Sequence, residues 1–468
     1  MTATEQHREA VRRLQASYDA IPAGSPVRLA KRTSNLFRPR QAIDTPGLDV
    51  SGLDGVVSVD PVARTADVQG MCTYENLVDA TLPHGLIPLV VPQLRTITLG
   101  GAVTGLGIES TSFRNGLPHE SVLEMDVFTG AGDVVTARRP IEGADNEHAE
   151  LFATFPNSYG SLGYATRLRI ELEPVRSHVA LRHVRFRDAA ALQEAIAEVT
   201  ETGLWDGRSV DGMDGTAFEP GEYYLTLATW TDAEAGAVTS DYVGQQVYWR
   251  SVQQRETDLL TTYDYLWRWD TDWFWCSRAF GAQHPVVRRF WPRRLRRSGT
   301  YHRLVGLERR LGIMDRLDRR ADRPLRERVV QDIEVPVERL GEFLDWFDAE
   351  IGMRPVWLCP LRLRGVATDP DDRRPWPSYP LVPDRTYVNV GFWGAVHVGE
   401  DAPNSPLNRA IEQKVSELEG HKSLYSEAFY DPATFDRLYD GANLAAVKKR
   451  YDPEERLTSL YDKAVRQR

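Results

Sequence analysis

Cysteine is scarce in this chain, which has three among 468 residues: Cys72, Cys276 and Cys359. They lie far apart, and their positions share none of the short spacings by which cysteines bind zinc. Disulfide scaffolds need many more cysteines, and free thiols are typical of reducing compartments. We therefore expect neither a disulfide framework nor a metal site, and we expect a cytoplasmic protein.

Long hydrophobic runs are also missing. A membrane-spanning helix needs about 18 consecutive apolar residues or more, and no such run occurs in the sequence. The first residues, MTATEQHREAVRRLQASYDAI, are charged and helical in pattern, without the apolar centre of a signal peptide. This pattern again predicts a cytoplasmic protein and leaves open peripheral attachment to the inner face of the cell membrane.

The charge balance has one local exception. The net charge of −10 argues against a general nucleic-acid binder. Residues 263–310, however, hold eleven arginines and five tryptophans against four acidic residues. Because tryptophan favours the lipid–water boundary and arginine attracts anionic headgroups, we predict that this region faces an anionic membrane. The alternatives are an aromatic core with a solvated arginine face, and a subunit interface.

The commonest nucleotide-binding signatures are absent. Gly105 and Gly107 begin a GxG pattern, but the letters IES follow, without the third glycine and the helix of a dinucleotide fold. There is no Walker sequence either. The stretch ITLGGAVTGLGIESTSFRNG, residues 97–116, still holds five glycines and five hydroxyl residues. Such a segment is either a flexible loop or a place where backbone closely approaches another group.

Hydrophobic periodicity divides the chain into four parts. Residues 1–20 form an N-terminal helix, and residues 21–175 form an α+β domain. Residues 176–405 form a second α+β block, whose strands and helices indicate an antiparallel sheet covered on one face. Residues 406–468 are helical.

Several individual elements are clear. In CTYENLVDATLPHG, we expect Thr73 to cap a helix that Gly85 ends. GVVSVDPVARTADVQG predicts two strands around a turn at Asp60-Pro61. HVALRHVRF, GEYYLTLATWT and TYVNVGFWG alternate apolar and polar residues as strands do.

Two glycine-bearing segments suggest a site for one extended ligand. Gly100-Gly101, between Thr98 and Thr104, would offer backbone N–H groups to a pyrophosphate, because concave arrays of amides bind anions without a lysine. The segment from Gly160 to Gly163 offers a second close approach.

The sequence around these segments, VVPQLRTITLGGAVTGLGIESTSFRNG and LFATFPNSYGSLGYATRLRIELEP, resembles the flavin domain of the vanillyl-alcohol-oxidase-type FAD proteins. The resemblance implies a two-subdomain FAD-binding domain of the PCMH type over residues 21–175, followed by a substrate (cap) domain. It also implies that both glycine loops and the early basic segment RLAKRTSNLFR hold FAD. The residues implied for FAD binding are Lys31, Arg32, Thr33, Ser34, Asn35, Thr98, Leu99, Gly100, Gly101, Thr104, Gly105, Gly107, Ile108, Ser110, Ser158, Gly160, Ser161, Leu162, Gly163 and Ala165.

The mode of FAD attachment follows from the same resemblance. Many of these proteins bind flavin covalently through a histidine in the early basic segment. No histidine occurs between His7 and His84, so we expect noncovalent FAD.

GLGIESTSFRNGL, VPQL, FPNSYGSLG, PVWLCPLRLR and HKSLYSEAFYDPATFDRLYDG are similar to the Δ24-sterol reductase branch. Members of that branch use FAD and NADPH to reduce an isolated carbon–carbon double bond in a lipid. The eukaryotic members begin with a membrane anchor, where this chain has a charged helix. It most resembles the actinobacterial FAD-dependent reductases of 10-methyl (tuberculostearic) fatty acid synthesis. The resemblance implies a phospholipid-linked 10-methylene acyl substrate, made by a partner S-adenosylmethionine-dependent methyltransferase.

The implied reaction needs a proton donor. Protonation of the terminal CH2 gives a tertiary cation at C10 that accepts hydride from flavin N5, in a dry site that raises the pKa of the donor. Glu109 is the first candidate; its alternative role is to cap a turn or pair with an arginine such as Arg114. The C-terminal segment that folds over the flavin in this family adds His421, Tyr425 and Glu427.

Two other functions stay open on the sequence. One is a carbohydrate or aldonolactone oxidase of the same fold, with a polar substrate pocket and a flavin that NADPH does not reduce. The other is a noncatalytic flavin subunit that scaffolds the methyltransferase on the membrane.

Overall fold

The structure of the chain is a computed structural model. Its helices and antiparallel strands confirm the predicted α+β class. No helix in the ranges described is long and apolar enough to span a membrane. The structure describes residues 1–31, 46–141, 147–234, 236–243, 246–311, 326–365, 374–399 and 404–466.

The helices start and end largely where capping residues predict. At the start of α2, the Thr73 hydroxyl accepts the N–H of Asn76 at 3.2 Å, and Gly85, with φ of 69°, ends the short 3-10 turn that follows. The helices are α1 (Ala3–Asp19), α2 (Tyr74–Thr81), α3 (Leu99–Thr104), α4 (Ser112–Asn115), α5 (Ala149–Thr154), α6 (Ala189–Thr202), α7 (Tyr248–Gln254), α8 (Thr262–Leu266), α9 (Pro285–Phe290), α10 (Ser298–Leu311), α11 (Leu340–Glu350), α12 (Pro406–Glu417), α13 (Pro432–Tyr439), α14 (Gly441–Tyr451) and α15 (Leu460–Ala464).

Within the residues that the structure describes, the strands form two large antiparallel sheets and one small pair. The strands are β1 (Val56–Asp60), β2 (Thr65–Gln69), β3 (Leu86–Pro88), β4 (Val122–Phe128), β5 (Val134–Arg138), β6 (Tyr164–Pro174), β7 (His178–Phe186), β8 (Leu204–Trp205), β9 (Arg208–Ser209), β10 (Gly212–Glu219), β11 (Glu222–Thr231), β12 (Thr257–Thr261), β13 (Arg326–Pro336), β14 (Val356–Leu361), β15 (Tyr387–His397) and β16 (His421–Lys422).

The first sheet has the order β1-β2-β6-β4-β5, with β3 also paired to β6. Its last strand in the chain, β6, ends at Pro174, and the second sheet begins with β7 at His178. The second sheet has the order β12-β7-β11-β10-β14-β15-β13-β16. Because β16 comes from the C-terminal segment, that segment is hydrogen-bonded to the edge of the second sheet.

Both faces of the second sheet are buried. On one face, α6, α11 and α12 supply Leu192, Phe343 and Ile411 to a core with the strand residues. The other face packs against aromatic residues of 265–275 and joins the core of the first sheet. The prediction of a sheet covered on one face was therefore incomplete, because residues of 265–275 cover the second face.

Strand β10 was not predicted, although it lies near the centre of the second sheet. Its sequence GMDGTAFE contains two glycines and an aspartate, which all disfavour strands. Neighbouring segments of the same chain leave no room for a side chain at either glycine. A Cβ at Gly212 would come within 2.6 Å of the Tyr265 hydroxyl, and one at Gly215 within 2.7 Å of the Tyr224 carbonyl oxygen.

The glycines of residues 97–116 are partly explained by a chain crossing. The N–H of Gly100 donates to the carbonyl of Gly70 at 2.9 Å, and a Cβ on Gly100 would lie 2.6 Å from that oxygen. Gly70 in turn abuts the backbone of Ala165. The backbone segments around Gly70 and Gly100 therefore lie so close together that no side chain fits between them.

Gly100→Ala should destabilise the protein by about 1–3 kcal/mol, because the new methyl group overpacks this crossing. The free energy of unfolding in urea measures the effect. Gly306→Ala is the matched control, since a Cβ on Gly306 would meet no atom within 4 Å. Equal stability of the two variants would contradict the crossing.

Candidate active site

The second glycine loop, residues 155–163, is held by the C-terminal helices. Lys463 Nζ donates to the carbonyls of Tyr159 (3.1 Å) and Gly160 (2.8 Å), and Lys448 Nζ donates to that of Ser161 at 3.3 Å. Tyr159 has a left-handed φ of 49°, a conformation that costs energy in a residue with a side chain and recurs at functional sites.

Two serines of this loop fit the predicted cofactor. The hydroxyls of Ser158 and Ser161 are buried and have no hydrogen-bond partner among the described residues. Buried hydroxyls without partners are costly, and the phosphate and ribityl oxygens of FAD are suitable acceptors. Gly160 and Gly163 flank them with φ of 75° and 135°, which side chains rarely adopt. Leu162 and Ala165 are buried beside them. The loop is therefore suited to hold FAD.

The early basic segment lies mostly outside the description. The predicted Arg32, Thr33, Ser34 and Asn35 fall outside the described residues. Lys31 is within them, and its Nζ lies 3.2 Å from the sulfur of Met71.

The first glycine-bearing segment contains a short helix and is not an irregular loop. Residues 99–104 form the short helix α3, whose cap Thr98 accepts the N–H of Gly101 at 3.3 Å. The hydroxyl of Thr104 donates to the carbonyl of Gly100 at 2.7 Å. The amides of Gly100 and Gly101 thus already have partners within the protein, so an FAD contact from this segment falls more naturally to the residues after Thr104.

Those later residues bring the loop under the second sheet. A Cβ on Gly105 would lie 3.2 Å from the ring of Tyr159. Gly107 packs against Pro118 and Pro92. The Ile108 carbonyl accepts from Gln93 at 3.0 Å. The Ser110 carbonyl accepts the N–H of Met213 in β10 at 2.7 Å. The hydroxyl of Ser110 lies 2.7 Å from that of Tyr265. These contacts place Glu109 beneath the sheet.

Glu109 is part of a buried ion cluster. Its Oε1 accepts from Nη2 of Arg268 at 2.8 Å, and the same nitrogen lies 3.2 Å from Oδ1 of Asp214. The indoles of Trp269 and Trp357 donate to the other Asp214 oxygen at 2.9 and 3.1 Å. Burial raises the pKa of Glu109, and the Arg268 guanidinium opposes this shift. The arginine partner of Glu109 is thus Arg268.

The alternative partner Arg114 lies elsewhere. It forms a two-pronged ion pair with Glu173, at 2.7 and 3.0 Å. That pairing joins the first loop to β6 instead.

The three C-terminal candidates have different surroundings. His421 is buried, with its ring centroid 4.8 Å from that of Tyr379, and burial lowers its pKa to about 3. The Tyr425 hydroxyl accepts from the Trp393 indole at 3.2 Å and lies beside Asp332. The backbone carbonyl of Glu427 accepts from Lys422. His421 and Tyr425 therefore face one polar cluster.

That cluster contains two carboxyls that no sequence pattern indicated, Asp332 and Glu334. They alternate along β13 with Ile333, which packs in the opposite core, so both point to the face shared with Asp214. Oδ1 of Asp332 accepts from Nδ2 of Asn389 at 3.0 Å. Oε1 of Glu334 accepts from the hydroxyl of Tyr379 at 3.3 Å, whereas its Oε2 is buried with no partner in the described part of the chain.

These carboxyls are held toward the neutral form. Burial raises the pKa of Asp332 to about 6. Burial, and then the neighbouring Asp332, raise the pKa of Glu334 well above its usual value. In the described part of the chain, neither forms an ion pair with lysine or arginine. This environment differs from that of Glu109, which has a guanidinium in contact.

The cluster also touches the second glycine loop. The hydroxyl of Tyr159 lies 3.3 Å from that of Ser423, whose N–H donates to the Asp332 carbonyl at 3.1 Å. Nδ2 of Asn157 donates to the carbonyl of Ser378 at 2.6 Å, next to Tyr379. The strand segment that carries the carboxyl pair is thus linked to the loop suited to FAD through Ser423, and Tyr379 is linked to it through Ser378.

An aromatic layer adjoins the carboxyl pair on the same face. Phe274 lies at its centre, with its ring 4.3 Å from that of Trp393 and 4.8 Å from that of Trp269. Trp273 and Phe274 have φ of 45° and 58°, a second strained segment at this site. We call Trp269, Phe274, Trp275, Trp357 and Trp393 the aromatic layer.

This layer corrects one expectation about residues 263–310. Four of the five tryptophans there, Trp267, Trp269, Trp273 and Trp275, are buried. Arg268 and Arg288 are buried as well, in ion pairs with carboxylates. The first part of the region is thus aromatic core, because its tryptophans and arginines find partners on the sheet face.

Comparison with known proteins agrees with this geometry. Residues 7–138 match the FAD binding domain family. The Delta(24)-sterol reductase of Arabidopsis thaliana is 24% identical over 450 residues, 90% of this chain and 77% of that protein. The Homo sapiens Delta(24)-sterol reductase is 23% identical over 440 residues, 89% and 75% of the two chains. Cytokinin dehydrogenase 6 of Oryza sativa subsp. japonica is 35% identical over 126 residues, 27% of this chain and 23% of that protein.

Residues 7–138 thus match an FAD binding domain, and the helices and antiparallel sheets are consistent with the predicted two-subdomain fold. It is an FAD-dependent oxidoreductase, with weak similarity along most of its length to Delta(24)-sterol reductases. The noncatalytic scaffold is therefore the less suitable alternative.

Asp332→Asn should stabilise the protein more at pH 8 than at pH 5. A folded-state pKa of about 6, against an ordinary value of 3.8, means that the stability from this carboxyl is lost as pH rises through 6. Asparagine does not titrate, so the stability difference between variant and native protein should grow by about 1–2 kcal/mol between the two pH values.

Urea unfolding at both pH values measures this difference. Changes in the contacts of Asn389 and Tyr425 are the same at both pH values and cancel. The exposed Asp345→Asn corrects for removal of a surface charge. A difference that shrinks at pH 8 would contradict the raised pKa of Asp332.

Arg268→Met should cost about 3–5 kcal/mol, because Glu109 and Asp214 would be left buried without their cation. The midpoint of urea unfolding measures the loss. Arg138→Met is the matched control, since Arg138 pairs with Glu124 at the surface, where an ion pair contributes less than about 1 kcal/mol. A similar loss in both variants would contradict a buried cluster.

Proposed function

We propose that this enzyme uses NADPH and noncovalent FAD to reduce an isolated carbon–carbon double bond in a lipid. The substrate we propose is a 10-methylene fatty acyl chain of a phospholipid, which becomes the 10-methyl (tuberculostearoyl) chain. The names of the relatives, Delta(24)-sterol reductases, support reduction of a lipid double bond. The resemblance of the sequence supports the acyl substrate.

One arrangement carries the proposal: the buried carboxyls of Asp332 and Glu334 lie beside an aromatic layer, and burial raises the pKa of each. Trp393 of the layer donates to Tyr425, whose hydroxyl lies beside Asp332. An isolated alkene has no carbonyl to polarise it, so its reduction requires a proton from a strong enough acid. A neutral carboxyl in a dry site can supply that proton at neutral pH.

Glu334 suits this role better than Glu109. Glu109 lies 2.8 Å from the Arg268 guanidinium, which stabilises its ionised form. In the described ranges, Glu334 has a hydroxyl partner on one oxygen and none on the other, so a proton on Oε2 would have no competing acceptor there. Asp332 on the same strand favours that proton further, because two neighbouring carboxyls do not readily ionise together.

The other residues of the cluster would support this transfer. Tyr379 orients the Glu334 carboxyl through its hydroxyl. His421 stays neutral because it is buried, so it adds no cation that would ionise the carboxyls. Reduced FAD, when bound, supplies the hydride. The aromatic layer keeps water from the cation-like carbon and favours a hydrocarbon chain over a sugar.

Glu334→Gln should slow oxidation of the reduced enzyme by a 10-methylene acyl phospholipid by about 10²–10⁴-fold, because the general acid is lost. Reduction by NADPH should stay within about two-fold of the native rate. Anaerobic stopped-flow absorbance of the flavin measures the two steps separately.

Glu109→Gln is the matched control in the same assay. Flavin content and thermal stability of both variants show whether either effect comes from misfolding. A larger loss of lipid-dependent oxidation in Glu109→Gln would make Glu109 the donor instead. A native flavin that reacts with a sugar or lactone but not with the methylene lipid would instead support the oxidase alternative.

A further inference from the structure

Residues 285–295, which we call the tip, differ from the aromatic core that precedes them. The tip consists of α9 and the turn after it. Among the large apolar residues that are exposed in the described ranges, most are single, as is usual for a protein surface. The tip instead has four within ten residues, Val286, Val287, Phe290 and Leu295. Phe290 is 78% exposed, which is unusual for a phenylalanine.

The tip is held firmly on its inner side. Arg288, in the middle of α9, is 1% exposed and pairs with Asp272 at 2.6 Å. Arg296 donates from Nε to the carbonyl of Trp291 at 3.1 Å and from Nη1 to that of Val243 at 2.9 Å. These buried guanidinium groups fix the backbone of α9 and the turn, so exposure of the apolar side chains follows from an anchored geometry.

The exposed charges of the tip are all positive. Arg289, Arg293 and Arg294 are exposed, and the tip sequence PVVRRFWPRRL has no acidic residue. Arg293 has one acidic neighbour, Asp241, at 3.4 Å, a surface pair of small energy. In a chain with a net charge of −10, this is a local positive patch around apolar side chains.

We propose that the tip is the surface by which the enzyme docks on a bilayer of anionic phospholipids. Apolar side chains that enter the interface contribute binding energy in proportion to the area they bury, and arginines around them attract the headgroups. This proposal narrows the predicted membrane-facing region from 263–310 to 285–295. It does not depend on the proposed reaction, since docking is measured without substrate.

The charge pattern favours a lipid surface over other partners. A second copy of the tip would bring arginines against arginines, which repel each other. Proteins that bind single-stranded nucleic acid stack bases on several exposed aromatic rings, whereas three of the four exposed apolar residues of the tip, Val286, Val287 and Leu295, are aliphatic and have no ring on which a base can stack. An anionic bilayer complements both features of the tip at once.

Sucrose-loaded vesicles of phosphatidylglycerol and phosphatidylcholine test the proposal with the full flavoprotein. It should sediment with the phosphatidylglycerol-containing vesicles and at least about ten-fold less with pure phosphatidylcholine. Val286→Ser/Phe290→Ser and, separately, Arg293→Glu/Arg294→Glu should each weaken binding about ten-fold or more. High salt should weaken vesicle binding by the native protein and should nearly abolish vesicle binding by the serine variant.

Two control variants match these changes elsewhere on the surface. Val62→Ser removes an apolar side chain that is 95% exposed, and Arg8→Glu/Arg187→Glu reverses two exposed arginines. Both should bind as the native protein does. Absence of vesicle binding, equal loss in the control variants, binding of a single-stranded oligonucleotide in place of vesicles, or a tip-dependent dimer in analytical ultracentrifugation would each overturn the proposal.

Discussion

The burial of charge on one face of the second sheet is the constraint on which the rest of the structure depends. Asp214, Asp332 and Glu334 all project from that face. A buried carboxylate is very unfavourable unless it is paired or protonated. The protein uses both solutions side by side. Arg268 pairs with both Asp214 and Glu109, whereas no lysine or arginine among the described residues pairs with Asp332 or Glu334, and burial raises the pKa of both carboxyls.

The same constraint explains why distant segments meet here. Arg268 comes from the aromatic segment, Glu109 from the first glycine loop and Asp214 from β10, and their contacts join the two sheets. Around the other two carboxyls, the Tyr379 hydroxyl donates to Oε1 of Glu334, and Tyr425 lies beside Asp332. The site is therefore built from six separate parts of the chain: the first glycine loop, β10, the aromatic segment, β13, and the segments that carry Tyr379 and Tyr425.

Local features of this fold were predictable from the sequence. The cap Thr73 and the left-handed Gly85 delimit a helix by backbone chemistry within a few residues, and alternation reveals strands such as β7 and β11. Long-range features were not predictable. Strand β10 was missed because it contains Asp214 and two glycines, which disfavour strands. These residues are explained only by contacts with Trp269, Tyr265 and Tyr224 on other elements. Likewise, the composition of residues 263–310 gives no sign of which side faces the core, so buried tryptophans looked like a surface.

The candidate site shows the same division. The glycine loops and the resemblance indicated an FAD-binding domain, since their chemistry lies in contiguous motifs. Glu334 lies in an ordinary strand sequence and gains its role only from Asp332 beside it, Tyr379 across from it and the absence of an ion pair in the described residues.

Infrared spectroscopy directly tests the central claim that Glu334 is protonated. Because Glu120 is also buried, with its pKa raised to about 7, the readout is the difference spectrum between native enzyme and variant. At pH 7.5, the native minus Glu334→Gln difference should contain the carbonyl stretch of a protonated carboxylic acid, and the native minus Glu109→Gln difference should lack it. A Glu334→Gln difference spectrum without that band would contradict the account.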